Sequence, residues 1–264
     1  MDLQLKDKKA LITGSTAGIG YGIARQLLKE GASVIINGRT EERINSAIDQ
    51  LQHSIPNCSV SGCAADFSNK DQIDQLIATH DSVDILINNV GIFAPKAFTD
   101  ITDEEWLHFF EVNVLSGVRL SRHFLPKMLK QDWGRIIFIS SESGVQIPTE
   151  MIHYGTTKTA QLGVARGLAQ QTSGTNVTVN SVIPGSTKSE GAEKFINDLA
   201  HEQGKTIDEI EREFFETVRP TCLLKRFATI EEVATFVTYL ASPLAAANNG
   251  AALRVDGGTI PTIL

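Results

Sequence analysis

Cysteine, clustered histidine, long apolar runs and net positive charge are all scarce in this sequence, and each shortage removes a class of protein. The three cysteines, Cys58, Cys63 and Cys222, are odd in number and form no C-x-x-C. That excludes a disulfide-stapled scaffold and fits a reducing, cytoplasmic compartment. Cys63 lies in an apolar run and reads as a small core residue. The six histidines are scattered, with no H-E-x-x-H and no zinc-type spacing to cysteine, so no metal site is expected. No stretch approaches the roughly 20 apolar residues of a membrane span. The opening MDLQLKDKKALITG carries no apolar segment of signal-peptide type. Lys and Arg number 24 against 31 Asp and Glu, for a net charge of −7, which speaks against nucleic acid or an anionic membrane surface as a general partner. Repeats, low-complexity tracts and linkers are lacking too, so residues 1–264 read as a single domain.

What the sequence does have is alternation. Short apolar runs (KKALIT, SVIIN, SVSGCA, VDILIN, GRIIFIS, NVTVNSVI, AALRV) are separated mostly by longer amphipathic ones such as GIGYGIARQLLKEG and EERINSAIDQLQ. Three Thr-x-x-Glu boxes mark helix starts, at Thr102/Glu105, Thr206/Glu209 and Thr229/Glu232, and Gly31 closes the first helix. Strands that read as near-continuous apolar runs are buried on both faces. The fold class is therefore α/β: a doubly wound, mostly parallel, Rossmann-type sheet with helices on both faces. The alternation breaks over residues 188–225, where AEKFINDLAHEQ and IDEIEREFFETV follow one another, the second placing Ile207, Ile210, Phe214 and Val218 on one face. This insertion is either a helical lid or a helical hairpin packed on the sheet edge.

The first strand runs into TGSTAGIG, residues 13–20, and then a helix. Gly14, Ser15, Gly18, Ile19 and Gly20 thus sit where strand becomes helix. Glycines there permit a tight turn and let backbone N–H groups approach a pyrophosphate at the helix N-terminus. A dinucleotide fold commonly carries an acid about 20 residues further on, which binds the ribose 2′-hydroxyl. Here that region reads INGRTEE, with Gly38 and Arg39 where the acid would be. The planar guanidinium of Arg39 suits a 2′-phosphate, with Asn37 assisting, so NADP(H) is expected over NAD(H). The plainer reading of Arg39 is an exposed helix-start residue paired with Glu41 or Glu42.

In HYGTTKTAQLGVARGLAQQ, residues 153–171, Leu162, Val164, Ala165 and Leu168 supply an apolar helical face, and Tyr154 and Lys158 stand one turn apart. An ammonium about 5.5 Å from a phenol, at an effective dielectric of about 20, stabilises the phenolate by roughly 3 kcal/mol. That would bring tyrosine from its ordinary value near 10 toward the range of acid–base catalysis.

Together these features resemble the short-chain dehydrogenase/reductase family, in its short single-domain branch, from about Leu5 to Gly258. The motifs that carry the resemblance are TGSTAGIG, Asp66 after the third strand, NNVG at 88–91, Asn113, the serine of ISSES thirteen residues before Tyr154, Tyr154-x-x-x-Lys158, and IPGST at 183–187. Val90 departs from the family's usual alanine in NNAG, and GTT replaces the common spacer between Tyr154 and Lys158. The resemblance implies that Tyr154 carries the proton and that Ser141, rather than neighbouring Ser140, holds the substrate oxygen. It further implies that Lys158 holds the nicotinamide ribose and that Asn113 holds a water in a relay toward Lys158. Asn113 is an unfavourable residue for the interior of the apparent helix TDEEWLHFFEVNVLSGVRL. By the same resemblance Asp66 meets the adenine, Asn88 and Gly91 line the adenine ribose side, and Ile19 lies near the phosphates. Pro184, Gly185 and Thr187 would flank the nicotinamide. The expected function is hydride transfer between NADP(H) and a small carbonyl or alcohol substrate, of ketone-reductase, alcohol-dehydrogenase or 3-oxoacyl type. The family also implies a homo-oligomer, a tetramer before a dimer. The alternatives are a nucleotide-sugar epimerase or dehydratase, which would need a longer region after DGG, and a non-catalytic dinucleotide sensor, which would not need Ser141, Tyr154 and Lys158 together.

Overall fold

In the computed structural model, which describes residues 1–263 and only the backbone at Phe195, the seven strand-like runs all become strands of one sheet. These are β1 (Lys9–Ile12), β2 (Ser33–Gly38), β3 (Val60–Ala64), β4 (Ile85–Asn88), β5 (Gly134–Ile139), β6 (Val177–Pro184) and β7 (Ala252–Val255), in the order β3-β2-β1-β4-β5-β6-β7. All six pairings are parallel.

Successive strand residues point to opposite faces, and the core divides accordingly. Ala10, Ile12, Ile85, Ile87, Ile137 and Ile139 pack against Ile23 and Leu27 of α1 (Gly18–Lys29), Ile44 and Leu51 of α2 (Glu41–Ser54), and Val233 and Val237 of α9 (Ile230–Ala241). Leu11, Leu86, Ile136, Phe138 and Val179 face the other way. They meet Ile73 and Leu76 of α3 (Lys70–Thr79), Leu120 and Phe124 of α5 (Ser116–Lys130), and Ala165 and Ala169 of α6 (Ile152–Gln171). The three Thr-x-x-Glu boxes all close as reciprocal caps, on α4 (Asp103–Phe110), α8 (Ile207–Glu213) and α9. Gly31 follows α1 in the left-handed conformation, at φ 84°. The strand order reverses direction between β1 and β4, which opens a crevice at the carboxyl ends of the strands.

Two helices depart from the expected regularity. The run around Asn113 is not one helix: a π-type turn, Glu111–Leu115, separates α4 from α5. The insertion forms α7 (Glu190–Gln203), α8 and a second π-type turn, Phe214–Val218. Its small core comprises Ile196, Ala200, Ile210, Phe215, Cys222 and Phe227. The expected apolar face is corrected in part: Ile210 is buried and Phe214 packs on this core, as expected. Ile207 and Val218 are 45% and 44% exposed, whereas Phe215 is buried at 2%. The wider turn slips the 3.6-residue phase, so Phe215 moves into the position that a regular helix would have given to its neighbours.

Candidate active site

At the end of β1 the chain turns through Gly14 and Gly18, both at positive φ (59° and 58°). A Cβ on Gly14 would lie 3.1 Å from Cγ2 of Val90, so the bulkier residue in NNVG closes over the turn and fixes glycine there. A Cβ on Gly20 would lie 2.5 Å from the Gly14 carbonyl oxygen; here glycine lets the start of α1 lie directly on the turn. No side chain caps the N-terminus of α1, unlike those of α2 and α3, so its first N–H groups are free to meet an anion.

Two expected cofactor contacts also brace this turn, and one of them, Asn37, lines the cavity beyond it. Ser15 is fully buried, donating to the Ile12 carbonyl (2.7 Å) and accepting from the Asn37 N–H (2.9 Å). Asn37, 1% exposed, accepts from the Gly14 N–H (2.9 Å) and donates to the carbonyls of Cys63 (3.1 Å) and Ala65 (3.3 Å). Their polar groups tie β1, β2 and β3 together and shape the turn from behind. A third expectation shifts by one residue. Asn88, still within β4, turns toward α5, where its amide donates to Ser121 Oγ (3.3 Å). Asn89 instead faces the crevice and donates to the carbonyls of Thr13 and Gly14, each at 2.9 Å. Strand alternation decides which of the two asparagines looks into the site.

Beyond the turn lies a cavity of about 400 Å³ whose lining includes Gly14, Arg39, Arg43, Asp66, Gly91 and Ile92. Arg39 and Arg43 are exposed and form no ion pair with Glu41, Glu42 or any other described carboxylate. Arg43 escapes notice in the sequence, although it lies four residues after Arg39 on the first turn of α2. Asp66 accepts from the Ser68 N–H (2.9 Å) and hydroxyl (2.7 Å), and these bonds hold its carboxyl below the ordinary value.

A second cavity, of about 910 Å³, crosses the ends of β5 and β6. Ile19, Ser141, Tyr154, Pro184, Gly185 and Thr187 line it together. A Cβ on Gly185 would meet the Asp256 backbone at 2.6 Å, and Thr187 donates to the Gly185 carbonyl (2.9 Å). The Ser141 hydroxyl donates to Glu142 Oε2 (2.7 Å) and accepts from the Ser143 N–H (3.1 Å). Glu142 Oε1 in turn accepts from Nε of Arg219 (3.1 Å), both side chains being nearly buried. Ser140 points away, donating to the Lys158 carbonyl (2.9 Å).

Lys158 is 4% exposed and lies between the two cavities, with Nζ 5.8 Å from the Tyr154 ring centroid. A Cβ on Gly91 would come within 3.2 Å of Nζ. Nζ donates to the Ile139 carbonyl (2.9 Å) and to Gln161 Oε1 (3.4 Å). The expected effect of lysine on tyrosine is corrected here. Burial drives the Lys158 ammonium down to about 8 and drives the Tyr154 phenol above its ordinary value. A hydrogen bond with Ser141 and the charge of Arg219 pull the phenol back down, while the charge of Glu142 pushes it up. The ammonium lies by the ring rather than at the hydroxyl, and desolvation outweighs it.

Asn113 is centred on the π-type turn and 1% exposed. Its carboxamide accepts from the Ile92 N–H (2.8 Å) and donates to the Ile92 carbonyl (3.0 Å) and Thr157 Oγ1 (2.9 Å). Its backbone carbonyl accepts from Gln161 (2.5 Å). The side chain therefore clamps the loop after β4, and the link toward Lys158 runs through Gln161, which the sequence did not single out.

These residues fit a nicotinamide dinucleotide. The uncapped α1 terminus, the side-chain-free faces of Gly14 and Gly91, and the unpaired arginines follow one another along the crevice. A sequence profile described as short chain dehydrogenase matches residues 8–200. The chain belongs to this family. The short-chain dehydrogenase relatives include an uncharacterized oxidoreductase, YvaG, of Bacillus subtilis (strain 168), 48% identical over all of both chains. The 3-oxoacyl-[acyl-carrier-protein] reductase FabG of Aquifex aeolicus (strain VF5) is 31% identical, covering 98% of this chain and 99% of its own. Among solved structures, L-sorbose reductase from Gluconobacter frateurii, complexed with NADPH and L-sorbose, superposes with a TM-score of 0.93 at 30% identity over all of both chains. The family is one of oxidoreductases. Among the described residues, no helix is long and apolar enough to cross a membrane, and no histidine, cysteine and carboxylate group could hold a metal.

Proposed function

We propose that this short-chain dehydrogenase is an NADP(H)-dependent carbonyl reductase, working reversibly as an alcohol dehydrogenase. The observation that carries the reading is the convergence of Ser141, Tyr154 and Lys158 beside one large cavity that begins where the glycine turn ends. When bound, the nicotinamide supplies or takes up the hydride. Tyr154 gives its proton to the carbonyl oxygen as the alcohol forms. A phenol held above its ordinary value stays protonated at neutral pH and is a donor, which suits the reductive direction. Ser141 steadies the same oxygen, and Lys158 orients the nicotinamide ribose and restores the proton of Tyr154. Asn113 and Gln161 hold Lys158 and the loop after β4 in register.

Arg39 and Arg43 favour NADP(H) because a 2′-phosphate would give two otherwise unpaired cations a partner. Asp66 and Gly91 serve the adenosine end; Pro184, Gly185 and Thr187 serve the nicotinamide end. Residues 188–225 act as a lid, a reading supported by Phe214, Thr217, Val218 and Arg219 lining the substrate cavity. The names of the relatives span acyl and sugar substrates, and the cavity wall combines Phe93, Ile147 and Phe214 with charged groups, so both classes belong in a screen. Exposed Leu107 (71%) and Leu115 (37%) along α4 and the turn after it support self-association, which sedimentation measures directly. The deciding experiment follows NADPH and NADH oxidation over a panel of ketones, oxoacyl thioesters and sugars. Turnover of a carbonyl that Tyr154→Phe abolishes is the expected result. NADPH binding without any turnover across the panel would favour the sensor reading.

A further inference from the structure

The Glu142–Arg219 ion pair has no part in the chemistry described so far, yet it touches the site from two directions. Glu142 follows Ser141 directly and takes the proton end of its hydroxyl at 2.7 Å. Arg219 comes from the insertion, 77 residues away, at the end of the π-type turn Phe214–Val218. Its Nη1 donates to the Val218 carbonyl (3.0 Å), and its guanidinium stands 5.9 Å from the Phe214 ring. Phe214 stacks on Phe227 at 5.2 Å, in the small core of the insertion. After Arg219 the chain is anchored elsewhere: Thr221 donates to the Thr259 carbonyl, and Leu223 and Leu224 donate to that of Gly257. Arg219 thus lies at the junction between the insertion and a fixed segment.

We propose that Glu142 and Arg219 form a positioning pair through which docking of the 188–225 insertion sets the direction of the Ser141 hydroxyl. With its proton on Glu142, Ser141 turns its lone pairs toward Tyr154 and the substrate space. To donate to a carbonyl oxygen it must leave Glu142. Arg219 makes that release cheaper, because a carboxylate already paired with a guanidinium is a weaker acceptor. A bare Glu142 would hold the serine proton and leave the substrate oxygen without its second donor. The pair also balances charge at Tyr154, which faces Ser141, Glu142 and Arg219 across the cavity, with Lys158 behind its ring and Phe93 at 6.1 Å.

The inference rests on the reductase reading, so its test has one arm that needs no turnover. Arg219→Met, Arg219→Lys, Glu142→Gln and the Glu142→Gln/Arg219→Met double variant are compared with the unaltered protein. In the first arm, trypsin cleavage after Lys205, in the exposed α7–α8 connection, is timed with and without NADPH. Cleavage at least fivefold faster in Arg219→Met and Glu142→Gln, restored toward normal in Arg219→Lys, is expected. In the second arm, kcat, KM and pH profiles are measured with an active carbonyl. The expected pattern is a kcat loss of tenfold or more in Arg219→Met with KM changed less than threefold. The apparent acid pKa, that of Tyr154, should shift upward in Arg219→Met and downward in Glu142→Gln, and the double variant should lose less than the product of the two single losses. Unchanged trypsin kinetics, multiplicative losses, or pH shifts of the same sign would each overturn the pairing. Failure of every carbonyl in the unaltered protein would overturn the reductase reading, and the trypsin arm would still judge the pair.

Discussion

Removing the two arginines that follow β2, Arg39 in the turn and Arg43 on α2, should change which nicotinamide cofactor the protein prefers, and the size of the change can be worked out. Arg39 and Arg43 line the same cavity, form no ion pair with any described carboxylate, and are exposed. A hydrogen bond to a charged group contributes about 1.5–3 kcal/mol when sheltered; exposure and ionic screening reduce this to about 1–2 kcal/mol per arginine. At about 1.4 kcal/mol per tenfold, Arg39→Ala and Arg43→Ala should each weaken NADPH binding about 5- to 30-fold. The double variant should approach about 100-fold, with some loss of additivity because both contact one phosphate. NADH lacks that phosphate, and its affinity should move less than about threefold. Fluorescence titration with both cofactors at two salt concentrations measures this, and the NADPH advantage should shrink at the higher salt. Equal losses for the two cofactors, or NADH binding the unaltered protein as tightly as NADPH, would refute the argument.

Tyr154→Phe should lower kcat about 10²- to 10⁴-fold while leaving NADPH affinity within about threefold, since only the proton is removed; equal losses in both would make the residue structural. Asn37→Ala strips a buried strut from four backbone groups. It should cost about 2–4 kcal/mol, seen as a fall of roughly 4–7 °C in Tm, together with weaker binding of both cofactors. The buried Lys158 titrates near 8 in the folded chain against 10.5 in water. Between these values the unfolded chain binds more protons, so this group's contribution to stability improves as pH rises from 8 to 10.5 and is least favourable below 8. Comparing urea midpoints of the unaltered protein and Lys158→Met across that range should show the unaltered protein gaining on the variant; a pH-independent difference would contradict it.

The sheet was legible because its signals are local. Apolar runs, three capping boxes and Gly31 each declare themselves within a few residues, and all became the elements they suggested. The site was legible only as a set of residues. Which of Asn88 and Asn89 faces the crevice depends on where β4 stops, and a one-residue shift exchanges them. Ser15 and Asn37 have the right chemistry for a ligand and also hold the turn together, a second role that hydrogen-bond partners reveal and residue type does not. The Tyr154–Lys158 spacing gave the correct proximity and the wrong electrostatics, because burial and the Ile139 carbonyl are long-range facts. Arg43 and Gln161 follow expected residues at helical spacing and could have been found that way. The partnership of Glu142 with Arg219 spans too much chain for any periodicity to disclose.

The π-type turn at Glu111–Leu115 makes the length of the chain part of the site. It accommodates one residue more than a regular helix would between Phe109, which packs on His153 at 4.1 Å, and Leu120 and Phe124 in the core. Deleting a single residue there would let the turn close into a regular α-helix, with α4 and α5 still in phase but the residues of the turn re-phased against their neighbours. The Asn113 clamp on Ile92 would then be lost. Point substitutions elsewhere cannot repair that kind of error, so the number of residues in this segment is held as firmly as the identity of Asn113.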